Sequence, residues 1–212
     1  VRSSAASDVY KRQRFNPMGV SDAELAELHT KKFAVMDDAV GEKMQERILQ
    51  AKSELNSVGG VIEAIALHLP AGIGAPYFDS VESMLSHALF SVPAVKGVEF
   101  GDGFGFARLT GAEANDALHY VDGKVKALTN HNGGVTGGIT NGMPFVVRVA
   151  IKPTPSIARE QQTVSLKEQA DTTLAIVGRH DPCIVQRAVP VIEAVVAWTL
   201  WDLLLEAKKW EK

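Results

Sequence analysis

Three short stretches carry the side chains that could do chemistry. Arg179-His180-Asp181 sets three ionisable groups in a row, followed by Pro182 and Cys183, just ahead of a long apolar run. Lys152-Pro153-Thr154-Pro155-Ser156 places one cation and two hydroxyls on a proline-stiffened segment. That set suits a phosphate, because lysine supplies charge and hydroxyls donate hydrogen bonds. The segment from Thr129 to Gly142 is rich in glycine, which costs backbone entropy and is kept where a chain bends tightly or approaches a ligand closely. Bare N–H groups in such bends favour anions. Each stretch has a plain alternative: a solvated loop, a solvated strand exit and a mobile loop, respectively. The Gly101–Gly105 bend lacks the spacing and the following helix of a dinucleotide fingerprint.

These stretches need elements to position them. Ser21 and Glu24 form a capping box ahead of a short helix, Asp22 to His29. Val40, Met44, Ile48, Ala51 and Leu55 recur at helical spacing and predict an amphipathic core helix over about 38–56. A strand is expected over Val61 to Leu69, a helix over Val81 to Phe90 and a strand over Val98 to Gly101. The β-branched run Phe145 to Ile151 reads as a buried strand that delivers Lys152. Ala112 to Leu118 reads as helical, His119 to Ala127 as a poorly ordered surface loop, and Gln161 to Leu174 as a polar connection with one or two short strands. Asp181 with Pro182 is a helix-start pair. Pro190 would cost an interior helix a hydrogen bond, so the long C-terminal helix is expected to start at about Pro190 and end near Lys208 and Lys209, where cations suit a helix C-terminus.

Composition sets outer bounds. The chain has 212 residues, 46% of them hydrophobic and 22% charged, with a net charge of −3. That length allows one domain with a sizeable core, and the charge gives no nucleic-acid footprint. Cys183 is the single cysteine, which rules out an intrachain disulfide and fits a reducing, cytoplasmic setting. The apolar run from Ala188 to Leu205 approaches a membrane span, but Glu193 and Asp202 lie within it and would be costly in lipid. A buried bundle or interface helix is the better reading, and no metal site is expected. Val1 to Gln13 shows neither helical nor strand periodicity; residues 1–15 are read as a disordered, non-native leader, and 16–212 as the domain portion.

Four blocks resemble the chorismate synthase family, in family order and at family-like separations. They are Val92-Pro93-Ala94-Val95-Lys96-Gly97 with Glu99-Phe100-Gly101, then Gly133 to Gly142, then Lys152 to Ser156, and last Arg179-His180-Asp181-Pro182-Cys183. The last block is followed after four residues by Ala188-Val189-Pro190-Val191-Ile192-Glu193-Ala194. The Ser57 to Glu63 and Pro70 to Gly74 segments also resemble the family, which more often has Asp where Asn56 stands. From about Asn16 to Lys209 the chain is similar to the C-terminal half of the family, or a little more.

The resemblance implies a truncated α+β fold, a layered β-α-β sandwich with helices between antiparallel sheets. It implies the last enzyme of the shikimate pathway, a lyase that removes phosphate and a proton from 5-enolpyruvylshikimate 3-phosphate to give chorismate, with reduced FMN required and no net redox change. Whether the flavin is reduced on the protein, with NADP as partner, or supplied reduced stays open. Pro93 and Ala94 would present backbone to the flavin, and Gly137 would allow close approach. Lys152, Pro153, Thr154, Pro155 and Ser156 would hold its phosphate side. Arg179 would contact flavin, and Asp181 would lie near N5 as the catalytic group. A homotetramer is implied for the full-length form. The family's N-terminal histidines and substrate-binding arginines have no counterpart in this sequence, so the chain is expected to carry one wall of the site and to be inactive or barely active alone. Two alternatives stand beside the enzyme fragment: a non-catalytic flavin- or phosphate-binding module, and an oligomerisation unit built on the C-terminal helix.

Overall fold

The computed structural model describes residues 2–8 and 18–208. Its centre is an antiparallel sheet of four strands, in the order β1 (Arg2–Asp8), β2 (Gly60–Leu67), β8 (Phe145–Ile151) and β3 (Val95–Phe100). The α+β class is thus a mixed assembly of helices on an antiparallel sheet, with three further two-stranded ribbons among the described residues.

Alternation along the strands assigns the two faces. Ile62, Ala64 and Ala66 of β2 and Phe145, Val147, Val149 and Ile151 of β8 point to one side, where α3 (Val81–Phe90) and α5 (Val185–Lys208) cover them. Ile65, Leu67 and Val146 point to the other, against Leu25 and Leu28 of α1 (Asp22–Leu28). The helix α2 (Asp38–Ser53) is capped by Asp37, whose carboxylate accepts from Ala39 and Val40 N–H, and it buries Met44 and Ala51. Ser80 caps α3 in the same way.

Several expectations need correction. The leader was read as disordered, yet residues 2–8 pair along β2 from Arg2↔Leu67 to Asp8↔Val61. Backbone pairing to an open strand edge needs no side-chain periodicity. Residues 9–15 lie outside the described residues. The helix α5 starts at Val185 and takes Pro190 inside it. Pro190 falls in the second turn and is exposed, so it removes one donor, to the Gln186 carbonyl, while buried Val185 and Val189 anchor the preceding turn. The helix expected over 112–118 is only α4 (Gly111–Ala114). The segment read as a loop over 119–127 is a hairpin, β4 (Leu118–Val121) with β5 (Lys124–Ala127). Its turn, Asp122-Gly123, has φ of +50 and +74, the positive values that two-residue hairpin turns require. The polar connection resolves into a second hairpin, β9 (Gln161–Ser165) and β10 (Ala170–Leu174).

Among the described residues one helix, α5, is long and apolar enough to cross a membrane. It buries one stripe, Val185, Val189, Ile192, Val196, Leu200 and Leu203, against the sheet. A second apolar stripe, Val191, Ala194, Trp198, Trp201 and Leu205, is exposed. The two stripes predict opposite responses to truncation. Ile192→Ala should cost about 2–5 kcal/mol in urea unfolding, as a fully buried large-to-small change. Trp198→Ser should change stability by less than about 0.5 kcal/mol. Equal losses at both positions would contradict this arrangement.

Candidate ligand cavity at the end of the sheet

The sheet ends where β8 gives way to Lys152. There the Lys152 N–H donates to the Ala94 carbonyl at 2.9 Å. Ala94 has φ +72, a left-handed conformation that costs a non-glycine residue on the order of 1 kcal/mol and persists where the surroundings enforce it. Ser57 Oγ donates to the Thr154 carbonyl at 2.6 Å, and the Val58 N–H donates to the Pro182 carbonyl at 2.9 Å. A Cβ at Gly59 would meet the Ile151 carbonyl oxygen at 2.4 Å, so only glycine lets these strands approach. The Asn56–Gly60 turn thereby joins the Lys152–Thr154 segment to the Asp181–Pro182 segment.

Beside this junction is an open cavity of about 930 Å³, lined by Lys52, Asn56, Arg179, His180, Asp181 and Arg187 among others. Asp181 is held from two sides. Its Oδ1 accepts from the Cys183 N–H at 3.4 Å, and its Oδ2 pairs with Arg187 Nη1 at 3.3 Å. It therefore closes a two-residue turn ahead of α5 and does not cap the helix itself. His180 Nε2 lies 2.8 Å from the Ile176 carbonyl, which ties down the loop that presents Arg179 to the cavity. Cys183 is buried, and burial pushes its thiol pKa up, so it is not a poised nucleophile. Thr154 Oγ1 is buried with no hydrogen-bond partner. An orphaned hydroxyl of this kind points to an absent acceptor, and it sits in the segment where a phosphate was expected.

The structure thus brings Ala94, Lys152, Pro153 and Thr154 to one end of the sheet, next to Arg179 and Asp181. Pro93 precedes Ala94 there, and Pro155 and Ser156 continue the same exit. Gly137 is not in this group. It lies in the hairpin of β6 (Val135–Thr136) and β7 (Ile139–Thr140), and the carbonyl of its neighbour Gly138 accepts from Val81 at the start of α3. That is the Phe145 end of β8, a strand length of roughly 20 Å from Lys152. Gly137 and Gly138 have φ of +63 and +85, as a tight hairpin turn demands, so turn geometry accounts for Gly137 without a ligand.

The anchor of that glycine-rich segment escaped the sequence reading. The Asp116 carboxylate accepts from Thr129 Oγ1 at 2.8 Å, from His131 N at 2.7 Å and from Asn132 N and Nδ2 at 3.0 and 2.7 Å. His131 Nδ1 in turn lies 2.6 Å from Asp102 Oδ2. Nothing in local spacing links Asp116 to residues 129–132. Lys52 and Arg187 were also passed over, because each reads as an ordinary charged position on a helix.

The structure is thus a mixed α+β fold with an open cavity beside the end of its sheet, lined by the cations Lys52, Arg179 and Arg187 and the acid Asp181. The family model described as chorismate synthase matches residues 6–205. Chorismate synthase of Thermococcus gammatolerans is 50% identical over 175 residues, covering 82% of this chain and 49% of the relative. That of Korarchaeum cryptofilum is 48% identical over 167 residues, covering 79% and 46%. A solved structure titled "Crystal Structure of Chorismate Synthase" superposes with a TM-score of 0.74 at 28% identity, covering 97% of this chain and 57% of that one. The chain belongs to the chorismate synthase family, and it spans about half the length of the curated relatives it matches.

Asp116 supplies a prediction. Burial opposes its ionisation, but its hydrogen bonds from Asn132, Thr129 and His131 outweigh this and hold its pKa below the usual carboxylate value. A depressed folded-state pKa contributes stability that is present above the unfolded value and lost as pH falls through the folded one. The melting temperature should therefore drop on acidification below the ordinary aspartate range. In Asp116→Asn, which cannot take the donors at Oδ2, the neutral-pH melting temperature should be lower and its acid dependence shallower. Calorimetry across that pH range checks both.

Proposed function

We propose that the chain forms one wall of a chorismate synthase active site, for the anti-1,4-elimination of phosphate from 5-enolpyruvylshikimate 3-phosphate to chorismate with reduced FMN. The observation that supports this reading is that the Ser57–Val58 turn hydrogen-bonds both the Lys152–Thr154 exit, with its orphaned Thr154 hydroxyl, and Pro182, next to Arg179 and Asp181 of the cavity lining. The full-length form is read as a homotetrameric cytoplasmic lyase.

The residues present fit the cofactor. Lys152 would supply charge to the flavin phosphate, with Thr154 Oγ1 and the Ser156 hydroxyl as donors. Pro93 and Ala94 would offer backbone rather than side chain, which suits a flat ring that must come close. Pro153 and Pro155 keep the phosphate segment stiff, so little is lost in ordering it. When bound, reduced FMN supplies electron density to the electron-poor allylic centre of the substrate. Gly137 is left outside this cradle.

The remaining work falls to the chain's own side chains. Leaving phosphate carries developing negative charge, which fixed cations of a complete site would stabilise, while Arg179, which lines the open cavity, would contact the flavin. A proton also has to leave the ring. Asp181 offers one carboxylate oxygen toward the Cys183 N–H and one toward Arg187, which fixes its orientation before ligand arrives. By the family resemblance, Asp181 is read as the group of this wall that tunes proton transfer. The exposed stripe of α5 supports the presence of further structure over it in the complete enzyme, which favours the enzyme reading over a free-standing module.

Fluorescence titration tests the cofactor half of the reading. The chain should quench FMN on binding, and Arg179→Ala should weaken that binding about tenfold; unchanged affinity would overturn the assignment. Anaerobic turnover tests the chemistry in a chimera that joins this chain to the N-terminal part of the Thermococcus gammatolerans relative. There Asp181→Asn should lower kcat by about 10²–10⁴-fold while leaving FMN affinity in place.

A further inference from the structure

An ionic contact away from the cavity joins two elements that the sheet separates. The helix α1 packs on one face of the sheet and α5 on the other. Residues 29–36 leave the end of α1 as an irregular strap that meets α5 at two points. His29 Nε2 lies 3.4 Å from Glu193 Oε1, and the Ala34 N–H donates to Gln186 Oε1 at 3.3 Å. Gln186 and Glu193 stand two turns apart on one side of α5, a span of about 10 Å. Ala34 packs against the cluster under α5 and Met36 against the cluster under α1, so the strap ties the two layers together. Between strap and helix is a small cleft of about 260 Å³. Glu193 is the one acid among the described residues of its lining. His29, Lys31 and Lys32 face it from the strap, and the uncharged Gln186 from α5. Lys31 Nζ is engaged elsewhere, 2.8 Å from Asp38 of α2 and 3.2 Å from the Val35 carbonyl. The cation in contact with Glu193 is therefore His29.

We propose that His29 and Glu193 form a pH-responsive latch, which fastens the 29–36 strap to α5 while the imidazole is charged and loosens it as pH rises past the histidine range. Lysines keep their charge across neutrality, whereas a histidine ring loses its own. A neutral imidazole still donates a hydrogen bond to a carboxylate, but a weaker one. The Glu193 side chain is 19% exposed, so its carboxylate is poorly hydrated once that charge is gone. Burial raises the Glu193 pKa above the usual glutamate value, and the His29 charge opposes this only in part. Folding thus favours the neutral acid, a contribution present at low pH and lost as pH rises through the raised value. Both titrations therefore loosen the strap in the same direction. The second tie, at Gln186, adjoins Arg187, which pairs with Asp181, so the strap grips the turn of α5 that borders the cavity.

Hydrogen exchange at the Ala34 amide of the full chain, followed by NMR and corrected for the intrinsic pH dependence of exchange, tests the latch. Protection should fall about two- to fivefold between about pH 6 and pH 8, as expected for a partly exposed histidine–carboxylate pair. His29→Gln keeps a donor but loses the charge, so its protection should stay throughout at the level the unsubstituted chain shows at the higher pH. Glu193→Gln removes the acid and should likewise show no step. Amides of β8 should keep their protection in both variants, which reports that the sheet is intact. Absence of the step in the unsubstituted chain overturns the proposal, and so does a step that survives in either variant.

Discussion

The cavity depends on the register of three strands, and Arg148 fixes that register. It stands in the ladder directly opposite Glu63 of β2 and Glu99 of β3. Its Nε meets Glu99 at 2.7 Å and its Nη1 meets Glu63 at 3.3 Å, with the residue only 4% exposed. A third donor reaches the Gly101 carbonyl. A buried ion pair need not stabilise a fold, but stranding one partner costs about 3–5 kcal/mol. A slip of one residue would turn Arg148 toward α3 and α5 and expel Val147 and Val149 from the core. The correct pairing sets Ile151 opposite Gly60 on one side and Val95 on the other. Lys152 can then emerge only between Ala94 and the Gly59 turn.

From that fixed point the site is assembled by short backbone links, not by side chains reaching over long distances. Ala94, Ser57 and Val58 each make one hydrogen bond to the segments that carry Lys152, Thr154 and Pro182. The functional groups themselves then hang from loops on a rigid sheet end, which is where binding residues concentrate in folds of many kinds. The strain at Ala94 belongs to the same logic. Its left-handed backbone aims a carbonyl at Lys152 and leaves the preceding Pro93 at the surface of the junction. Electrostatics follow from the same placement. The end of α2 and the start of α5 each bring a cation to the cavity, Lys52 and Arg187, and Arg187 pairs with Asp181.

What the sequence revealed was whatever depends on near neighbours. The helix α3 was legible because Ser80 caps it and Val81, Leu85 and Leu89 repeat at four-residue intervals. The strand β8 was legible because a β-branched run is bounded by Pro144 and by Lys152-Pro153. The Asp122-Gly123 turn was equally local and was overlooked, although an Asp-Gly pair between strands is a strong hairpin sign. Pro190 misled because a rule about helix interiors was applied to a second turn that packing holds in place. Two features lay beyond local reading altogether. Asp116 acts on residues 13 to 16 positions away, and Lys52 and Arg187 line one cavity only because α2 ends and α5 begins beside it. The resemblance supplied what spacing could not, the expectation that Lys152 and Arg179 belong to one site. Yet it also carried Gly137 into a set from which the hairpin separates it.

The helix α5 shows why this half of a family fold looks as it does. Its two apolar stripes lie on different sides, one buried by the sheet and one open, with Trp198 at 78% and Trp201 at 56% exposure. A helix with a single core face carries one stripe, and a helix apolar on more than one side is an inner element covered twice. The apolar length that brings α5 to the threshold of a membrane span therefore has another cause, the need to serve two layers. The chain spans about half of its relatives, and the superposed solved chain extends well beyond it. The open stripe runs the length of the same helix whose first turn holds Arg187 against Asp181. Whatever covers Trp198 and Trp201 in a complete member thus packs on the element that carries the cavity's second cation, so the closing of the core and the shaping of the site are one event.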